Sequence, residues 1–167
     1  MKRKAYFAGG CFWCIEPVFE TMSGVFGAVS GYSGGMEEAP SYEDVKSQRT
    51  GHRETICVEY DDAVVSFDAL LDAYLDSVDP FDGGGQFIDR GHSYTLAVYY
   101  TREEERFLVK EKLAALEQSS GKNVYINVEA FRSFYMAEEY HQDYYLKNPE
   151  AFQKELKESG RIRRAEG

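Results

Sequence analysis

The clearest pattern along the chain is a run rich in β-branched and aromatic residues at 53–60, closed by Asp61 and Asp62, which predicts a strand. After it, Leu70, Leu71, Tyr74, Leu75 and Val78 recur at three- and four-residue spacing, which predicts an amphipathic helix over 66–78 with Ser66 as its cap. The same reading gives strands at 4–8, 25–30, 94–101 and 124–128. Val18, Phe19 and Met22 suit one face of a helix over about 12–22, although Pro17 falls in its second turn and argues for a later start or a local distortion. Residues 31–35 read as a glycine-rich loop, and 39–45 as a turn into a short helix, with Ser41 capping it and Asp44 closing a capping box. Thr101 is the expected cap of a charged helix running to about Ser119. An aromatic run at 131–135 and a polar helix after Asn148-Pro149 complete the chain. The order β-α-β-(short α)-β-α-β-α-β predicts an α+β fold, a two-layer α/β sandwich of the ferredoxin-like split βαβ type with an extended C-terminal segment.

Composition narrows the class. With 167 residues and 43% hydrophobic content, the chain reads as a single catalytic domain over 1–167, of which about 150–167 form a C-terminal helix and tail. A formal charge of -10 argues against nucleic acid or an anionic membrane surface as partner. The basic clusters at 2–4 and 161–164 lie at the ends and read as solvated. The apolar run up to Ile15 contains two glycines and is cut by Glu16 and Pro17, so no secretion signal is read there; no stretch is long enough for a membrane helix, and the expected location is the cytoplasm. Three cysteines make no disulfide framework, and in a reducing compartment a C-x-x-C pair is redox-active or metal-binding.

That pair, Cys11 and Cys14, lies in Gly9-Gly10-Cys11-Phe12-Trp13-Cys14, at a strand-to-helix turn that the glycines allow to bend sharply. Unpaired N–H groups at the start of the helix favour a thiolate, so Cys11 is the expected nucleophile, beside the only tryptophan of the chain. Zinc is not expected, because His52, His92 and His141 show no paired ligand spacing. Glu54 shares its strand parity with Ile56, Val58 and Tyr60; it is either a buried acid that keeps its proton near neutrality or a solvated residue at the strand edge. Cys57 has the opposite parity and reads as packing, and Cys14 stays open between a second redox thiol and a helix-packing residue. His52 and His141 read as hydrogen-bonded structural residues, and the long loop 79–91 as a functional candidate.

Six collinear motifs together resemble one family. They are Gly-Gly-Cys-Phe-Trp-Cys at 9–14, Gly-Tyr-Ser-Gly-Gly at 31–35, Pro-Ser-Tyr-Glu-Asp-Val at 40–45, Thr-Gly-His-Arg-Glu at 50–54, Asp89-Arg90-Gly91 with Tyr94, and Glu139-Tyr140-His141-Gln142 followed by Lys147-Asn148-Pro149. In this order they resemble the peptide methionine sulfoxide reductases of the A class, which act on the S epimer at sulfur. The resemblance implies that Cys11 is the nucleophile, Phe12 and Trp13 receive the substrate's S-methyl group, and Glu54 supplies a proton to the sulfoxide oxygen. It also implies that Tyr42 and Tyr94 hydrogen-bond that oxygen, with Asp89 an acidic residue of the same site. Substrates would be free or protein-bound oxidised methionine. No cofactor would be bound, and an external reductant such as thioredoxin, glutaredoxin or dithiothreitol would close the cycle. Many relatives carry resolving cysteines in a C-terminal tail; this chain has none after Pro149, which leaves Cys14, Cys57 or an outside thiol. Relatives commonly have Gln-Tyr-Arg where this chain has Ser93-Tyr94-Thr95, which puts a supporting contact of Asp89 in doubt. The competing reading is a thioredoxin-like C-x-x-C thiol-disulfide oxidoreductase.

Overall fold

The strand that carries Glu54 already begins at Arg53, inside the sheet, and Glu54 is buried, which rules out a solvated residue at the strand edge. In a computed structural model that describes residues 1–159, the chain runs as β1 (Lys2–Gly9), α1 (Phe12–Glu20), β2 (Val25–Ser33), α2 (Tyr42–Lys46), β3 (Arg53–Asp61) and α3 (Phe67–Ser77). A two-residue ladder of β4 (Gly85–Gln86) and β5 (Asp89–Arg90) follows, then a 3-10 turn at His92–Tyr94, β6 (Leu96–Tyr100) and α4 (Glu103–Ser120). The chain continues through β7 (Ile126–Ala130), β8 (Phe134–Met136), a 3-10 turn at Glu139–His141, α5 (Tyr144–Lys147) and α6 (Pro149–Ser159). The expected tail beyond Ser159, with the basic cluster at 161–164, lies outside the described residues.

The main sheet has the order β7-β6-β1-β3-β2-β8. β3 lies between β1 and β2 and is antiparallel to both, β1 lies between β3 and β6, and β7 joins parallel to β6. The fold is therefore mixed α/β. Alternation across the sheet separates two apolar layers. Phe7, Ile56, Val58, Tyr60, Leu96 and Val98 join a core with Ile15 and Phe19 of α1, Leu70, Leu71 and Tyr74 of α3, and Val109 and Leu113 of α4. On the opposite face Tyr6, Ala8, Cys57, Ala97 and Tyr99 meet Phe131 and Phe134.

Local signals account for several boundaries. Ser41 Oγ accepts the Asp44 N–H and Asp44 returns a bond to the Ser41 N–H, so the expected capping box closes. Ser66 caps α3 through the Ala69 N–H. α1 begins at Phe12 and runs through Pro17, which has no N–H to give the Trp13 carbonyl but does not end the helix. Elsewhere longer-range contacts win. Arg102, not Thr101, stands at the cap of α4; the Thr101 N–H is taken instead by the Glu105 carboxylate at 2.9 Å. β2 runs on through Ser33 where a loop was expected, because the aromatic run supplies β8 as its partner. Gly31 permits this approach: a Cβ there would stand 2.3 Å from the Phe134 ring. Tyr94 ends a 3-10 turn and does not begin β6.

Candidate active site

Gly10 adopts φ +87°, in the left-handed region, and turns the chain from β1 into α1 with Cys11 at the boundary. The first N–H of the helix, that of Phe12, donates to Glu54 Oε1 at 3.1 Å, so the acid from β3 caps the helix that begins directly after Cys11. Glu54 is 1% exposed, and burial pushes its carboxyl up to about 8, with Asp89 adding to the effect and the Phe12 N–H opposing it. Its Oε2 is buried without a hydrogen-bond partner, and the nearby Tyr94 hydroxyl favours the charged form only slightly. Near neutral pH the carboxyl therefore keeps its proton.

Cys11 is buried, and its thiol is pushed well above the ordinary range, first by its contact with the Cys14 thiol, then by burial, then by the negative potential of Glu54 and Asp89. This corrects the expectation of a resting thiolate. The end of a helix is worth at most about 2 kcal/mol to an anion, or roughly 1.5 pKa units, whereas full burial moves a group by up to about 3–5 units. Desolvation and like charge outweigh the dipole here. Protonation of Glu54 removes one of the negative neighbours and so eases formation of the thiolate.

The other residues singled out by the sequence converge on the same place. The Tyr94 hydroxyl is buried, and burial together with Glu54, Tyr42, Asp89 and Cys11 holds it well above the usual tyrosine range. Tyr42 stacks near Phe12 and Trp13, each 6.3 Å away between ring centres, and its N–H is held by Glu138 Oε2 at 3.1 Å. Phe12 is buried in the core, while Trp13, Tyr42 and Asp89 keep partial exposure and form the accessible rim. Within Ser93-Tyr94-Thr95, Thr95 Oγ1 accepts from Arg53 Nε at 2.8 Å, and Ser93 Oγ accepts from Gln48 Nε2 at 2.8 Å.

The cysteines separate into two environments. Cys11 and Cys14 share a buried cluster with Phe152, against which Trp13, Tyr144, Tyr145 and Leu156 pack. Cys57 lies on the opposite face of the sheet, where burial pushes its thiol up to about 11. Cys57→Ala is accordingly expected to leave sulfoxide turnover and recycling within about twofold and to cost about 1 kcal/mol of stability; urea unfolding and steady-state kinetics check both.

The sequence reading takes the tyrosines at 140–145 as core or pocket lining, but not the contacts they and their neighbours make. The C-terminal segment folds back over α1: Gln142 bonds the Ser30 backbone, the Asp143 N–H donates to Glu16, and Tyr144 stacks on Trp13 at 4.0 Å. Tyr32 and Glu138 pair at 2.8 Å beneath Tyr42. The abundance of aromatics at 131–145 was the available signal, but periodicity says nothing about which ring meets which.

Comparison with known proteins identifies the family and the fold. Residues 3–166 match the family described as peptide methionine sulfoxide reductase. The chain is 42% identical over 160 residues to the peptide methionine sulfoxide reductase MsrA of Halalkalibacterium halodurans, covering 95% of this chain and 91% of that protein. It is 43% identical over 153 residues to the MsrA of Ligilactobacillus salivarius, covering 90% and 89%. Among solved structures, reduced Mxr1 of Saccharomyces cerevisiae superposes with a TM-score of 0.82 at 27% identity, covering 89% of this chain and 87% of that one. Methionine sulfoxide reductase A of Corynebacterium diphtheriae superposes at 0.81 with 29% identity, covering 89% and 76%.

Proposed function

The chain belongs to the peptide methionine sulfoxide reductase family, and from that premise we propose that Cys11, Glu54, Tyr42, Tyr94 and Asp89 carry out the reduction of methionine S-sulfoxide, free or in oxidised proteins. The enzyme reduces methionine sulfoxide to methionine. The observation that carries the residue assignment is the Glu54 carboxyl, neutral near pH 7 and bonded to the first N–H of the helix that bears Cys11.

The substrate sulfur is electrophilic, but its oxygen leaves only when protonated. Cys11 Sγ attacks the sulfur as a thiolate while Glu54 delivers its proton to the oxygen, with the Tyr42 and Tyr94 hydroxyls hydrogen-bonding the charge that builds there. Oxygen ends on Cys11 as a sulfenic acid. The thioether sulfur gains two electrons, Cys11 loses two, and the thiol proton returns to the carboxylate by way of solvent. Phe12 and Trp13 form an apolar wall for the S-methyl group, and Asp89 holds the acidic side of the opening.

Cys14 completes the cycle in this reading. Its thiol condenses with the Cys11 sulfenic acid, forming the S–S bond and releasing water, and an external dithiol of the thioredoxin or glutaredoxin class, or dithiothreitol, reduces the disulfide. The contact of the two thiols supports this, as does the placement of Cys57 across the sheet. Cys14→Ser is expected to keep one stoichiometric turnover and to slow steady state with a thioredoxin-type donor by about tenfold or more. Unchanged steady state would assign recycling to direct attack by the outside thiol. A thioredoxin-like exchanger would leave Glu54 and the tyrosines without a task, and that reading is set aside.

We read the four strands β6-β1-β3-β2 as a ferredoxin-like split βαβ core, extended by β7 and β8, within one catalytic domain over 1–167. Among the described residues no helix is long and apolar enough to cross a membrane, and a cytoplasmic location fits a reducible thiol pair. The test supplies each sulfoxide epimer of a blocked methionine with dithiothreitol. Consumption of the S epimer alone is expected; consumption of neither, with reduction of insulin disulfides, would favour the exchanger.

A further inference from the structure

The sheet is open at the end that carries the site. β1 stops at Gly9, whose partner on β6 is Leu96, and its last partner on β3 is Ile56. Past that point no strand lies between the start of β3, with Arg53 and Glu54, and the turn ahead of β6, with Tyr94 and Thr95. β3 pairs with β1 and β2, and β6 with β1 and β7, so no ladder fixes the distance from the acid to the tyrosine. The gap is two strand spacings wide, roughly 10 Å between backbones.

Arg53 crosses it. The side chain leaves β3 on the face away from Glu54, where Tyr99 lies, and is 6% exposed. Its Nε donates to Thr95 Oγ1 at 2.8 Å, and its Nη1 to the Tyr99 hydroxyl at 3.0 Å and to Glu129 Oε2 at 2.8 Å. Thr95 passes the tie on, because its hydroxyl donates to the His92 carbonyl at 2.6 Å and so closes the 3-10 turn that ends in Tyr94. We propose that Arg53 is a positioning residue for the reduction: its Nε–H, bonded to Thr95 Oγ1 across the open end of the sheet, sets the distance between the Glu54 carboxyl and the Tyr94 hydroxyl, the two groups that meet the sulfoxide oxygen. The proposal rests on the functional reading above.

The same turn has two other ties, from Gln48 to Ser93 and from His92 to the Gly51 carbonyl. Both end in the loop at 47–52, whereas Arg53 adjoins Glu54 within the strand itself. Ion pairing with the partly exposed Glu129 does not by itself account for the residue. A carboxylate needs only a positive charge, which lysine also supplies; a guanidinium sends N–H groups in several fixed directions, and one of them is taken by Thr95. A displaced Tyr94 is felt most when charge builds on the oxygen, and least in the ground complex, where Phe12 and Trp13 hold the methyl group.

Thr95→Val keeps the shape of the side chain and the Arg53–Glu129 pair but removes the acceptor. It is expected to lower the single-turnover rate at saturating blocked S-sulfoxide by about tenfold, with the half-saturating concentration changed by less than about twofold. Thr95→Ser restores the hydroxyl and should recover most of the rate. Arg53→Lys should fall as far as Thr95→Val, and the double variant no further than either, because both delete one contact. Glu129→Gln weakens the ion pair, leaves the tie in place and should stay within about twofold of the wild type.

In the unmodified enzyme the Arg53 Nε–H resonance should exchange slowly with solvent near neutral pH, a measurement that does not depend on how the variants fold. Rapid exchange would overturn the proposal. An undiminished rate in Thr95→Val, or a loss in Glu129→Gln as large as that in Thr95→Val, would overturn it too and reduce Arg53 to a structural ion pair. Wild-type protein that consumed no sulfoxide would overturn the functional reading instead, in an assay separate from the exchange measurement.

Discussion

Replacing Cys11 by serine is expected to lower kcat/KM for methionine S-sulfoxide by more than about 10,000-fold, the scale on which loss of a nucleophile is felt. A hydroxyl at this position ionises far less readily than a thiol, in surroundings that already oppose an anion. Serine also lacks the product state, since its oxygen cannot take up the sulfoxide oxygen as sulfur does in a sulfenic acid. The apolar wall of Phe12 and Trp13 and the acid at Glu54 remain in place, so substrate affinity should stay within a few fold. Mixing stoichiometric sulfoxide with protein in the absence of reductant reads the effect as methionine formed per chain. Formation of a full equivalent by Cys11→Ser would move the nucleophile to another sulfur.

Glu54→Gln should lower the single-turnover rate by about 100-fold, within the range general acids supply. The amide keeps a hydrogen-bond donor near the oxygen but has no proton to give. In the wild type the acid is competent below about pH 8 and fails above it, while thiolate formation at Cys11 improves as pH rises. The two requirements oppose each other and give a bell-shaped profile. In Glu54→Gln the falling alkaline limb should vanish and the remaining rate climb with pH. An alkaline limb that survives belongs to another group, and Glu54 would lose the role of acid. Stability follows the same shift. The folded-state pKa lies above the unfolded one, so the contribution of Glu54 to stability is full below about pH 4, is lost as pH rises through about 8, and is absent in the variant.

Much of this arrangement was legible from short-range pattern. The parity of Glu54 with Ile56, Val58 and Tyr60 placed it on the core face, because side-chain direction in a strand alternates without reference to the rest of the fold. The Ser41–Asp44 box and the Ser66 cap were readable because each bond closes within three residues. Thr101 was misread for the complementary reason. Glu105 reaches back to its N–H, and a cap that competes with a neighbouring carboxylate is not decided by residue type. β8 went unseen because three residues, Phe134, Tyr135 and Met136, carry no period, and only the open edge of β2 makes them a strand.

The amino-acid sequence by itself supplied the candidate groups: a thiol at a strand-to-helix turn, a tryptophan two residues on, an acid whose strand parity matches the core residues, and tyrosines in the order the family resemblance implies. Those are properties of residue type and short spacing. Tertiary structure alone decided their ionisation and their closure. A helix end favours a thiolate, yet Cys11 rests as a thiol, since the charge on any group depends on water removed by segments far along the chain and on which other charges those segments bring near. The bond from Phe12 to Glu54 spans 42 residues and the bond from Trp13 to His141 spans 128, and no local pattern records either.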